Sequence, residues 1–140
     1  MIVADTNLIV YLHLPGPYGD LAEKVRRTDP CWVSPGLWRS EFRNVLVGCL
    51  RNGHLELAAA LTAISQAESH VDSAACQVPS RTVLELALTS GCTAYDCEFV
   101  AVAQALNVPL VTSDQKILRS FPETALSMEH FLSRASGNNP

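Results

Sequence analysis

The chain has 140 residues, of which 48% are hydrophobic and 17% charged, with a formal net charge of −4. That length suits one domain and can bury roughly 68% of the unfolded surface. No apolar stretch approaches the roughly 20 residues of a membrane span. The negative balance argues against tight nonspecific duplex binding, though not against a small nucleic-acid enzyme whose site is acidic.

The apolar run "IVA" at 2–4 reads as a buried strand ending at the polar triplet Asp5, Thr6, Asn7. "TNLIVYLH" then reads as a short helix ended by "PGP" at 15–17, and "YGDLAEKVRR" as a second. "CWVS" at 31–34 is the next strand. Ser34 is expected to cap the following helix with Pro35 in its first turn, and that helix runs through "LWRSEFRNVLVGCLRNG" to Gly53. "HLELAAALTAISQAES" is helical, and "VDSAACQV" is ambiguous, with a strand possible at its start.

"PSRTVLELALTSG" reads as a helix capped by Ser80 and stopped by Gly91. "TAYDCEFVAVAQALN" is a helix with an apolar stripe at 99, 102, 103 and 106. After Pro109 come the strand "LVTS" at 110–113, a short helix from "DQKILRSF", and an edge strand in "TALSM". The expected organisation is one domain over 1–133 and a frayed tail over 134–140. Short continuous apolar strands alternating with helices point to an α/β fold, with a mostly parallel central sheet flanked by helices.

Such sheets carry their sites at the C-terminal edge of the strands. Asp5 and Asp114 each lie just past a strand, Asp96 opens a helix, and Glu41 lies in the helix after "CWVS". The helix macrodipole alone could account for Asp96 or Asp114. It accounts poorly for Glu41, which shares a helix face with Leu37, Val45 and Gly48 and is expected to point inward, where an acid needs a partner. Two carboxylates about 5 Å apart repel by roughly 3 kcal/mol at an effective dielectric near 20. Four acids in one pocket therefore need protons or a cation. Oxygen donors without His or Cys favour a hard ion, Mg²⁺ or Mn²⁺, which serves phosphate chemistry.

The segments "IVADTN", "SEFRN" and "AYDCEFVAVAQALNVPLVTSD" resemble the signature of PIN-domain nucleases, and in particular the small VapC-type toxins of toxin–antitoxin pairs. The likeness runs from residue 2 to about 120, and is weakest over 53–92. It implies a three-layer PIN-like fold and metal-dependent cleavage of RNA phosphodiesters. It implies Asp5, Glu41, Asp96 and Asp114 as the acidic tetrad, with Asp5, Asp96 and Asp114 on the metal and Glu41 acting through a bound water. Thr6, Asn7, Asn44 and Thr112 match supporting positions. Arg39, Arg43, Lys116 and Arg119 are the nearby candidates for RNA contact. The family further implies a cognate antitoxin and a homodimer.

Five cysteines without a CxxC pair, and an apolar N-terminal run that carries Asp5 with no basic region before it, lead to the expectation of a cytoplasmic protein with reduced thiols. Cys97, beside Asp96, is read as packing. The four histidines are expected at the surface or half-buried, and Trp32 and Trp38 in the core or at an interface. Three rival functions remain: a PIN nuclease of RNA processing or decay, a catalytically dead binding domain, and a phospho-accepting signalling domain. The last needs an adjacent acidic pair at the first strand and a strand-end lysine, and the sequence offers neither.

Overall fold

The computed structural model describes residues 1–74 and 76–137. In chain order its elements are β1 (Ile2–Ala4), α1 (Thr6–His13), α2 (Gly19–Thr28), β2 (Trp32–Val33), α3 (Leu37–Arg51), α4 (Leu57–His70) and β3 (Val71–Asp72). They continue with α5 (Ser80–Ser90), α6 (Ala94–Leu106), β4 (Leu110–Val111), α7 (Gln115–Ser120), β5 (Ala125–Leu126) and α8 (Met128–Gly137). The strands form one sheet in the order β3-β2-β1-β4-β5, parallel throughout.

β1 is the central strand because it is apolar on both faces: Ile2, Val3 and Ala4 are fully buried. The chain winds outward from β1 to β3, then crosses back to add β4 and β5 on the other side. This reversal makes the gap between β1 and β4 the topological switch point, where open α/β sheets open a crevice past their C-terminal edge. α6 packs on β1 and β4, and a small satellite core of Val83, Cys92, Cys97 and Ala101 seals α5 to it. Trp32 and Trp38 both belong to the main core.

Several expectations are corrected. Ser34 caps no helix: its buried hydroxyl donates to the Ala4 and Val33 carbonyls, and Gly36 precedes α3 without a side-chain cap. Ser80 is the first residue of α5 rather than its cap. The stripe of α6 does not reach Leu106, which is exposed, while Val100 and Ala101 are buried because the helix is covered by the sheet and by α5. Asn107, expected as helical, ends α6 in the left-handed region at φ 53°. Residues 134–137, assigned to the tail, are the last turn of α8, a helix the sequence reading missed. The rest of that tail, 138–140, and residue 75 of the ambiguous "VDSAACQV" lie outside the described residues. The start of that segment is a strand, β3.

Candidate active site

The ladder between β1 and β4 continues one step past the strands, with Asp5 N donating to Val111 O at 3.1 Å. This fixes Asp5 at the lip of the switch point. Its Oδ1 accepts from Thr6 N at 2.7 Å, which caps α1. Its Oδ2 accepts from Thr112 Oγ1 at 2.6 Å and from Asn7 Nδ2 at 3.2 Å. Asp114 caps α7 in the same manner, its Oδ1 accepting from Lys116 N and Ile117 N. Asp96 stands in the first turn of α6, where Thr93 Oγ1 accepts from its backbone N. Glu41 comes from the second turn of α3 and accepts from Thr6 Oγ1 at 2.8 Å.

These four acids line one open cleft of about 390 Å³, together with Thr6, Asn7, Val10, Tyr11, Asn44 and Val45. Glu41 reaches it for a reason other than the one expected. The buried stripe of α3 is Trp38, Phe42 and Leu46, while Val45 and Gly48 are exposed, so the face carrying Glu41 turns to the cleft and not to the core. Thr112 lies behind the cleft, fully buried, where its hydroxyl also accepts from Asp114 N and Asn7 Nδ2.

The cleft is short of positive charge. Burial pushes the Asp5 carboxyl up to about 6, against the opposing hydrogen bonds from Thr112 and Thr6, with the charges of Glu41 and Asp96 adding to the rise. Glu41 is raised in the same way, by burial first and by the charges of Asp96 and Glu98 as well, while its Thr6 bond opposes. None of the four basic candidates lines the cleft. The Arg39 guanidinium lies over the Trp38 ring, 5.7 Å from its centroid. Lys116 Nζ donates to Gly91 O at 2.6 Å, and Arg43 and Arg119 are exposed.

The donor set suits a hard divalent ion, since carboxylate oxygens line the cleft and no His or Cys does. Among the described residues no three His, Cys, Asp or Glu side chains stand close enough to grip an ion together. The carboxylates border an opening rather than close on one point. Sequence reasoning missed Tyr11, Val10 and Val45, which line the cleft from α1 and α3. Two valines and a tyrosine within apolar helix segments give no catalytic signal, and the packing of α1 against α3 brings them there. Cys97 is fully buried, with Ser90 Oγ 3.9 Å from its sulfur and its thiol pKa pushed up by burial, as packing requires.

Residues 2–122 match the PIN domain family. The chain belongs to that family. A crystal structure of PAE2754 from Pyrobaculum aerophilum superposes on it with a TM-score of 0.74 at 23% identity, covering 98% of this chain and 97% of that one. No curated protein matches the chain. PIN domains are as a rule nucleases, hydrolases of RNA or DNA that generally use divalent metal ions. No helix among the described residues is long and apolar enough to cross a membrane.

Proposed function

We infer that this PIN domain is a Mg²⁺- or Mn²⁺-dependent endoribonuclease, and that it is the toxin of a VapBC-type toxin–antitoxin pair. One observation carries the nuclease reading: four acids from four separate elements line a single cleft at the sheet's switch point. The raised carboxyl of Asp5 supports it, because such a cleft gains most from a cation.

In this reading Asp5, Asp96 and Asp114 would hold the ion partly through bound waters, since the carboxylates border the cleft without closing on one point, and Glu41 would hold a water beside it. Thr6, Asn7 and Thr112 hold the carboxylates in place, and Asn44 contributes a polar edge at the rim of the cleft. The bound ion supplies a lowered water pKa and charge compensation on the phosphate. Asp5 contributes a carboxylate whose rotation is restrained by three donors, so its oxygens are positioned before substrate arrives. Glu41, with Oε1 tied to Thr6, offers its second oxygen to water. Arg43 and Arg119 would meet the RNA backbone outside the cleft; Arg39 and Lys116 would first have to leave their present partners.

The toxin assignment adds two partners, an antitoxin and a second copy of the chain. Leu84 and Leu88 on α5, 63% and 86% exposed, support a covered surface of that kind. The test is to incubate the purified chain with RNA with and without Mg²⁺, map the ends, and repeat with Asp96→Asn. Mg²⁺-dependent cleavage leaving 5′-phosphate and 3′-hydroxyl ends, lost in the variant, is the expected result. Cleavage that ignores both Mg²⁺ and Asp96 would overturn the reading. Growth arrest on expression, relieved by the small gene beside it, tests the toxin role separately.

A further inference from the structure

We propose that the cavity beside the acidic cleft, bordered by the packed pair Tyr11 and Tyr18, is a subsite that stacks one unpaired nucleobase next to the scissile phosphate. The inference deepens the ribonuclease reading and rests on it. The cavity is about 230 Å³ and lies beyond the C-terminal ends of β4 and β5. Tyr11 lines both it and the acidic cleft, so the two adjoin at one residue.

The rings of Tyr11 and Tyr18 stand 4.9 Å apart at 44°, tilted rather than stacked on each other. Tyr18 leaves 49% of its surface exposed although it is large and aromatic. Tyr11 is held: its hydroxyl is 3.0 Å from Ser113 Oγ, and Ser113 N donates to Asn7 Oδ1, beside Asp5. An anchored ring and a half-exposed ring resting on it thus border a cavity tied through Ser113 and Asn7 to the acids.

The rest of the lining selects among ligands. It includes Gln115, Ser127 and Glu129 but no Lys, Arg or His. A phosphate would meet a carboxylate there and no cation, so the sugar–phosphate chain is excluded. An aromatic heterocycle with hydrogen-bonding edges satisfies both the rings and the polar groups. Unpaired bases are recognised in this way, by stacking on aromatic side chains and by bonds to their edges. Bases in a duplex have no free face to offer, so the substrate class is single-stranded RNA. Glu129 accepts only, so it would bond a donor on the base edge, an exocyclic amino group or a ring N–H.

The test uses the full chain with Asp96→Asn to block turnover. It measures the affinity of a short single-stranded RNA by fluorescence anisotropy, with 2-aminopurine placed in turn on each side of the cleavage site. Adding Tyr18→Ala should weaken binding by about five- to a hundredfold, the range of one lost base stack. It should also abolish the quenching of one 2-aminopurine position. Tyr18→Leu, which keeps bulk and removes the aromatic face, should behave as Tyr18→Ala, and Tyr18→Trp as the parent. In the cleaving enzyme the loss should fall on KM rather than kcat. Cleavage of RNA with unchanged affinity and quenching in Tyr18→Ala overturns the subsite and leaves the nuclease standing. Tyr18-dependent quenching without Mg²⁺-dependent cleavage overturns the nuclease reading and leaves the base site.

Discussion

Thr112 Oγ1 donates to Asp5 Oδ2 at 2.6 Å, tying together the ends of β1 and β4 across 107 residues of chain. The same oxygen accepts from Asp114 N and Asn7 Nδ2, so one buried hydroxyl sets the relative positions of three residues of the cleft. Thr112→Val keeps the shape of the side chain and removes all three bonds. A buried carboxylate and two N–H groups lose their partner, so stability at neutral pH should fall by about 1–3 kcal/mol in urea denaturation. The Asp5 carboxyl should rise further above about 6, because the Thr112 bond is the chief influence lowering it. Thr112→Ser should restore most of both. A Thr112→Val protein as stable as the parent would show that the hydroxyl positions nothing.

Asp5 is a site where function opposes stability. Its folded pKa of about 6 exceeds the ordinary 3.8, so the native state binds the proton more tightly than the unfolded chain. The stabilisation is fully present below about pH 3.8 and is lost as pH rises through 6, amounting to about 3 kcal/mol. Asp5→Asn removes the charge but turns an amide toward the donors of Thr112 and Asn7, which offsets part of the gain. The variant should be more stable than the parent by about 1–2 kcal/mol at pH 8, with the difference shrinking toward pH 4. It should cleave no RNA. Denaturation curves at several pH values check the sign: a difference that grows on acidification would contradict it.

Divalent ions should act as stabilising ligands of the same cleft. An ion at 100 times its dissociation constant adds about 2.7 kcal/mol, a rise in Tm of roughly 5–10 °C for a domain of this size. Thermal melts with MgCl₂ or MnCl₂ against EDTA should show the rise for the parent and little or none for Asp5→Asn or Asp96→Asn. Equal shifts in all three would place the ion elsewhere.

The sheet and three of the acids were legible because each is marked locally. Asp5 and Asp114 follow short apolar runs and cap the helices that come next, and Asp96 opens a helix behind Thr93. Glu41 was found from its helix face, but the buried face is the neighbouring one with Trp38 and Phe42. α8 carries a short apolar stripe, Met128, Phe131 and Leu132 at helical spacing, which packs on the main core; three apolar residues beside the strand-like "TALSM" are too short a signal to mark a helix alone. Ser34 looked like a cap, since nothing local reveals that its hydroxyl faces the Ala4 carbonyl of the adjacent strand. The Tyr11–Tyr18 pair was invisible for the same reason: a loop aromatic and a helix aromatic become a cavity only once β5 and α8 stand beside them.

The pair His13 and His70 supplies an acid-sensitive lock that works against Asp5. His13 Nδ1 lies 2.9 Å from Ile9 O and therefore carries its hydrogen, leaving Nε2 as the acceptor of the neutral ring. Nε2 stands 2.8 Å from His70 Nδ1, which must donate. A second proton on His13 forces His70 into its other tautomer, and protons on both rings would set N–H against N–H. Burial lowers both rings below the usual 6.5, Arg26 adding to the effect and Glu23 opposing it at His70. For a base lowered on folding, the stabilisation is complete above pH 6.5 and is lost as pH falls below it. His70→Gln keeps an N–H donor for His13 without a charge that titrates, and Phe42, edge-on to His13, need not move. Its stability at pH 8 should match the parent within about 0.5 kcal/mol, and its loss on going to pH 5 should be smaller. Asp5 gains stability over the same interval and masks part of this loss, so Asp5→Asn should be the more acid-sensitive protein and the double variant the least pH-dependent. Parallel pH–stability curves for Asp5→Asn with and without His70→Gln would show that the histidine pair contributes nothing.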